Sequence, residues 1–105
     1  MGHLADVVKQ EMKTYAGSGT HTKLYAISDD AAQIYAVNVV DTSPQPRPAR
    51  VVIMARIVDE TVIIETDTTD RPLVRRLVEA GIPREKILLA YTGERLPEIE
   101  SHRTS

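Results

Sequence analysis

The 105-residue sequence predicts a single α+β domain: an N-terminal helix, a mostly antiparallel sheet of about five strands, and a second helix before the last strand. Three observations support this prediction. Apolar side chains recur with a helical period over the first fifteen residues. Several apolar segments with alternating side chains follow. A second helical pattern then ends at Gly81 and leads into one more apolar segment, residues 87–91.

The first helix is predicted over residues 1–15, and Gly17-Ser18-Gly19 ends it. The apolar residues that form one stripe of this helix are Leu4, Val7, Val8, Met12 and Tyr15. The remaining positions are largely polar, with only two lysines and two acids. This distribution favours packing on the sheet of the same chain over binding to a membrane surface.

Four strands are predicted as two hairpins. The first joins residues 22–28 to residues 32–40 through the turn at Asp29-Asp30. The second joins residues 50–58 to residues 61–66 through Asp59-Glu60, a tolerable two-residue turn.

Both strands of the second hairpin carry apolar side chains on both faces. Ile53 and Ile57 point to one side of the sheet, whereas Val52 and Met54 point to the other. A sheet covered on one face only shows a cleaner alternation. Because two helices can hardly cover both faces of five strands, we expect a homodimer or a higher homo-oligomer.

The second helix has a clear start and stop. Thr69 or Asp70 is the predicted cap, and Pro72 suits the first turn. Gly81 is the predicted left-handed stop. Residues 87–91 are nearly all apolar, which is typical of a strand buried on both faces.

The predicted domain covers residues 1–92, and residues 93–105 form a polar tail. Residues 41–48 hold three of the six prolines, and proline cannot continue a central strand, so this segment is a predicted surface loop.

Composition narrows the class of protein. The formal net charge of −2 gives no global basic field for nucleic acid. The absence of cysteine excludes disulfides, thiol nucleophiles and thiolate metal sites. A small chain without disulfides, and without a signal-like or membrane-spanning apolar segment, is expected in the cytoplasm.

No residue pattern identifies a catalytic, cofactor-binding or metal-binding site, so we predict a protein that is not an enzyme and needs no cofactor. His3, His21 and His102 have no partner at metal-ligand spacing. The sequence around Gly17-Ser18-Gly19-Thr20 lacks the lysine of a phosphate-binding loop and follows a helix, so it is interpreted as a flexible connection.

Two other sets of residues leave alternative functions open. The acids between Glu65 and Asp70 could hold a divalent metal in a small enzyme or ligand-binding domain, although turns and caps explain most of them. The full acidic set is Asp59, Glu60, Glu65, Asp67 and Asp70. The arginines could contact DNA directly, but no aromatic residues are interleaved with them. They are Arg47, Arg50, Arg56, Arg71, Arg75 and Arg76.

Several segments resemble the XisI-like family, named for the fdxN element excision controlling factor. The resemblance covers roughly residues 4–92. The matching segments are KTYA at 13–16, ISD at 27–29, IYAV at 34–37 and IVDETVIIE at 57–65. The most specific match is DTTD at 67–70 followed by LVEAGIPREKILLAY at 77–91.

The chain also departs from the family pattern. The proline-rich loop stands where the family has Gly-Trp and an Arg. Met54 and Ile63 stand where the family has His and Trp, and Tyr91-Thr92 replaces Phe-His. The resemblance therefore implies the family fold and transfers no site residue.

The resemblance implies a small non-catalytic accessory protein similar to factors that control excision of a DNA element. It also implies a protein partner of the XisH-like type. The mild acidity of this chain suits a regulator that binds a protein better than one that binds DNA directly.

Overall fold

The computed structural model describes residues 3–94 and has the predicted α+β architecture, with two helices and a six-stranded sheet. The elements in chain order are α1 (His3–Lys13), β1 (Gly17–Ser18), β2 (Thr22–Asp29), β3 (Ile34–Asp41), β4 (Arg50–Val58), β5 (Thr61–Asp67), α2 (Leu73–Glu79) and β6 (Ile87–Leu89). Predictions for residues 1, 2 and 95–105, His102 and most of the tail included, fall outside the described residues.

The six strands lie side by side in chain order. The first five are antiparallel to their neighbours, as two predicted hairpins require. β6 is parallel to β5, because the chain crosses over through α2 between these two strands and returns in the same direction. The prediction of a mostly antiparallel sheet is confirmed.

Both helices pack on the same face of the sheet. α1 buries Val8 and Met12, and α2 buries Leu73 and Leu77. The sheet residues of the same core that share one face by register are Tyr35, Val37, Val39, Ile53, Ala55, Ile57, Val62, Ile64 and Ile87. Val52 is buried in this core as well, although the alternation predicted it on the face opposite Ile53. That prediction is wrong because the register between β3 and β4 shifts at this point and leaves Val52 without a partner in β3. Within residues 3–94 neither helix has the length and apolar character needed to cross a membrane.

The glycine-rich segment after α1 is an additional strand, where the sequence predicted only a flexible connection. Gly17 and Ser18 pair with Leu24 and Lys23 of β2. The N–H of Gly19 then donates to the carbonyl oxygen of Thr22 at 2.8 Å. A Cβ at Gly19 would stand 2.8 Å from the Thr22 hydroxyl oxygen, so any larger residue at this tight return to β2 would force that hydroxyl to move.

The last strand is shorter than predicted. β6 ends at Leu89, and Ala90–Thr92 forms a 3-10 turn that Gly93 closes with a φ of 99°. Leu88 and Leu89 are only half-buried, and Tyr91 is exposed. The prediction of a strand buried on both faces through residue 91 is therefore wrong, because an edge strand of three residues has a neighbour on one side only.

The second helix is capped by a residue that the sequence did not predict. The Asp67 carboxylate, and neither Thr69 nor Asp70, accepts the first free N–H of α2, that of Leu73. Pro72 precedes the first helical residue. The predicted stop at Gly81 is confirmed, since its φ is 109° and the Ile82 N–H returns to the Leu77 carbonyl oxygen.

Candidate protein interface on the open face of the sheet

The sheet has a second face, opposite the two helices, which we call the open face. Side chains alternate between the two faces along each strand, so the residues between the core positions lie on the open face. Its members by register include Tyr25 and Ile27 of β2, Ile34, Ala36 and Asn38 of β3, Val51, Met54 and Arg56 of β4, Ile63 of β5, and Leu88 of β6.

The β2 side of the open face is exposed. Ile27 keeps 51% of its surface accessible and Tyr25 keeps 44%. Ile34, Ala36 and Met54 are half-buried. Neither helix of the described chain packs on this face, because both belong to the opposite side. The result is an apolar surface across β2, β3 and β4 of the kind that marks protein interaction sites.

The β5 side of the same face is closed. Ile63 is only 1% exposed, although it is not part of the core under the helices. Its cross-strand neighbours are Arg56 of β4 and Leu88 of β6. The accessible part of the open face is therefore confined to the first half of the sheet.

An ion pair borders this accessible part. The register shifts between β4 and β5, and Glu65 has no cross-strand partner in β4. The Arg56 Nε–H donates to the Glu65 carboxylate at 2.6 Å, with both side chains about one-third exposed. Pairs this exposed contribute little to stability, so the pair chiefly fixes the position of two charges beside an apolar surface.

The acidic residues singled out in the sequence do not form one site. Asp59 and Glu60 make the hairpin turn with φ angles of 49° and 62°, as a type I′ turn requires. Glu65 pairs with Arg56. Within residues 3–94 no three His, Cys, Asp or Glu side chains are grouped to hold a metal ion.

Asp67 has a structural role that accounts for its carboxylate. One oxygen accepts from the N–H and the hydroxyl of Thr69, at 3.0 and 2.7 Å. The other accepts from the Leu73 N–H at 2.7 Å. Asp70 is exposed in a shallow groove on α2 beside Arg71 and Arg75.

The arginines are divided among three separate regions. Arg56 is on the open face. Arg71 and Arg76 lie on the helix side, with their guanidinium groups 5.5 and 5.2 Å from the centre of the Tyr15 ring. Arg76 also approaches the Glu11 carboxylate at 3.7 Å. Such a distribution is unlike the continuous basic stripe of a typical DNA-binding surface.

The third basic region lies at the proline-rich loop. Arg47 and Arg50 line an open groove together with exposed His21. Asp41 accepts from the N–H groups of Arg47 at 3.0 Å and Ser43 at 2.9 Å. These hydrogen bonds, that from Arg47 first, lower the pKa of Asp41 from 3.8 to about 2. The segment is a loop, as predicted, and Asp41 orders its start.

Sequence reasoning missed a contact that joins the turn after α1 to the segment just before α2. The Tyr15 side chain is buried, and its hydroxyl donates to the carbonyl oxygen of Arg71. Burial raises the pKa of Tyr15 above 10.0. The apolar stripe of the first helix predicted that Tyr15 is buried. It could not predict the hydrogen bond to Arg71, because two residues 56 positions apart share no local sequence pattern.

Comparison with known proteins places this fold in a family. A solved XisI-like protein from Anabaena variabilis is 28% identical, with a TM-score of 0.72 over 90% of this chain and 86% of that chain. The fdxN element excision controlling factor XisI from the same organism is 20% identical, with a TM-score of 0.67 over 85% of this chain and 84% of that chain. At 20% identity, the similarity to this second protein shows only that the two chains share a fold.

No curated protein sequence matches the chain at a significant level. The family model described as XisI protein matches residues 2–102, which is nearly the whole chain. The resemblance in the helix–Gly81–strand segment is thus confirmed at the level of the family, and the chain belongs to the XisI protein family.

Proposed function

We propose that this chain is a non-catalytic accessory protein in the control of DNA element excision, and that it acts by binding another protein through the open face of its sheet. Family membership and the name of the solved relative support the excision role. The observation that carries the mode of action is the exposed apolar surface around Ile27.

The charges support a protein partner over direct contact with DNA. The net charge is −2, and the arginines are distributed over both faces of the sheet. A DNA-binding protein of this size needs several phosphate contacts from one surface. The absence of a gel shift at low salt is therefore expected, and a salt-dependent shift would favour the alternative of direct DNA binding.

A copurification experiment tests the proposal. The bait is this chain, and the prey is a XisH-like protein, the partner class that the family resemblance implies. Met54→Glu and Ala36→Glu place a charge in the accessible part of the open face, and both should abolish capture because the charge would be buried without a partner.

Val78→Glu is the matched control. Val78 is also an exposed apolar residue, 41% accessible, but it lies on α2, on the opposite side of the sheet. Capture should survive this change. Capture that is lost equally in all three variants, or in none of them, would contradict a partner site on the open face.

A further inference from the structure

We propose that the outer edge of β2, residues 25–29, pairs antiparallel with the same edge of a second copy of this chain. Two six-stranded sheets would then become one continuous sheet. This inference goes beyond the proposed function, because it concerns a sheet edge and a second copy, whereas the proposed function concerns a sheet face and a different protein. Each can fail without the other.

β2 is covered along only part of its outer side. On its inner side, β3 pairs with every residue from Thr22 to Asp29. On its outer side, β1 pairs with Lys23 and Leu24 alone. Within residues 3–94, the stretch from Tyr25 onward has no strand beside it on that outer side.

The backbone groups on this edge point outward in a known pattern. The His21 carbonyl oxygen accepts from the Thr42 N–H on the inner side, whereas the Thr22 carbonyl oxygen accepts from the Gly19 N–H on the outer side. Because this direction alternates along a strand, Ala26 and Ser28 present their N–H and C=O groups outward. Within the described residues, neither has a backbone partner there.

The side chains at this edge leave it open to another strand. Ala26 and Ser28, on the helix side, are small, and a narrow cleft of about 20 Å³ lies between them and the Met12 region of α1. On the other side, Tyr25 and Ile27 are exposed apolar residues. Edge strands in monomeric proteins are usually blocked by charge, proline or a bulge, and none of these falls between Tyr25 and Ser28.

The edge is complementary to itself. A two-fold axis at Ile27 places Ala26 of one copy opposite Ser28 of the other, and the reverse. Each of these two pairs can exchange two N–H···O=C bonds, so the contact forms about four backbone hydrogen bonds. Ile27 then faces Ile27 of the second copy as a non-hydrogen-bonded pair, with Cα atoms about 4.5 Å apart.

The charges agree with this register. The axis places Tyr25 opposite Asp29 of the second copy, on the same face as Lys23. Lys23 becomes a diagonal neighbour of that Asp29, within reach of a long side chain. Its ammonium group already lies over the Tyr25 ring, 5.4 Å from the centre. The two-fold symmetry forms the attraction between Lys23 and Asp29 twice. An unrelated strand would not reproduce both pairs, so a second copy of this chain is the partner that fits the edge.

Sedimentation velocity of the full chain over a range of concentrations tests the pairing. The unmodified chain should be a dimer. Ile27→Lys and Ile27→Asp should each raise the dimer dissociation constant about tenfold or more, because they place like charges directly opposite each other. An equimolar mixture of the two variants should restore the dimer, since the introduced lysine of one copy would then face the introduced aspartate of the other across the axis.

Val78→Lys, on α2, is the control and should leave the dimer unchanged. A monomeric unmodified chain would overturn the proposal. So would a dimer that Ile27→Lys leaves intact, or charge variants whose mixture stays monomeric although both are folded by circular dichroism.

Amide hydrogen exchange gives an independent measurement. The N–H groups of Ala26 and Ser28 should exchange slowly in the dimer and quickly in Ile27→Lys. Ser28→Pro removes an outward N–H and no bond within the chain, and should weaken the dimer, whereas Ser28→Ala keeps that N–H and should not. Rapid exchange at both positions in a dimeric chain would show that the copies meet elsewhere.

Discussion

The carboxylate of Asp67 accepts a hydrogen bond from the backbone N–H of Leu73 at 2.7 Å, and so joins the end of β5 to the first turn of α2. Its other oxygen holds the connecting loop through Thr69. The sequence had allowed Asp67 to be a metal ligand, but its carboxylate accepts hydrogen bonds from backbone N–H groups and a hydroxyl group. Within the described residues, its function is to place α2 on the sheet.

Replacing this aspartate should destabilise the fold. Asp67→Ala leaves the N–H groups of Thr69 and Leu73 without their acceptor and should lower the free energy of unfolding by about 1–3 kcal/mol in a urea titration. Asp70→Ala is the control, since Asp70 is exposed and makes no cap, and its effect should stay within about 0.5 kcal/mol. A larger loss at Asp70 than at Asp67 would contradict the assigned cap.

Divalent cations should not stabilise the protein. A metal that binds only the folded state raises the melting temperature by mass action. The acids from Asp59 to Asp67 are divided among a turn, an ion pair and a cap, and Asp70 is exposed apart from them, so we expect the melting temperature to stay unchanged with Mg²⁺, Mn²⁺, Ca²⁺ or Zn²⁺. A rise with one ion that Glu65→Gln abolishes would revive the metal-binding alternative.

The proline-rich loop should respond to acid through Asp41. The pKa of Asp41 is lowered to about 2 by the N–H groups of Arg47 and Ser43. A lowered pKa stabilises the fold above the unfolded value, near 3.8, and that contribution is lost as the pH falls through about 2.

NMR titration of the Asp41 carboxyl group measures this shift directly. Asp41→Asn should be less stable than the unmodified chain at neutral pH, and the difference should shrink between pH 3.8 and about 2. A carboxyl group that titrates at its ordinary value would show that the two N–H contacts do not form in solution.

The contact between Tyr15 and Arg71 should be measurable by removing one hydroxyl. Tyr15→Phe leaves the buried ring in place and removes the bond to the Arg71 carbonyl oxygen, at a cost of about 1 kcal/mol. Chemical denaturation of both forms gives this number. A variant as stable as the unmodified chain would mean that the bond adds nothing to the packing of the ring.

The same tyrosine predicts a loss of stability in base. Burial raises the pKa of Tyr15 above its ordinary 10.0, mainly by disfavouring the phenolate. Above about pH 10 the phenol therefore ionises more readily in the unfolded chain than in the folded one, and the free energy of unfolding falls as the pH rises. A chain without the phenol lacks this contribution. We therefore expect Tyr15→Phe to show a flatter dependence of unfolding free energy on pH above about 10, measured by denaturation at several pH values.

Much of the fold was predictable from local patterns. Gly81 stops α2, Asp59-Glu60 turns the second hairpin, and α1 buries the predicted Val8 and Met12. The strand at Gly17-Ser18 was not predictable, because a glycine and a serine in a loop acquire strand geometry only from the strand they pair with. The Asp67 cap was missed for a similar reason, since it acts from six residues before the N–H that it receives.

The sequence by itself determined that both faces of the strands are apolar and, outside the β4 bulge at Val52, which residues share a face, because side-chain direction alternates with a period of two. Only the tertiary structure decided that both helices cover the same face, and that Ile63 on the other face is covered while Ile27 is exposed. The physical reason is that alternation is a local property of the backbone. Coverage of a face, and the free edge of β2, depend on which distant elements pack beside it.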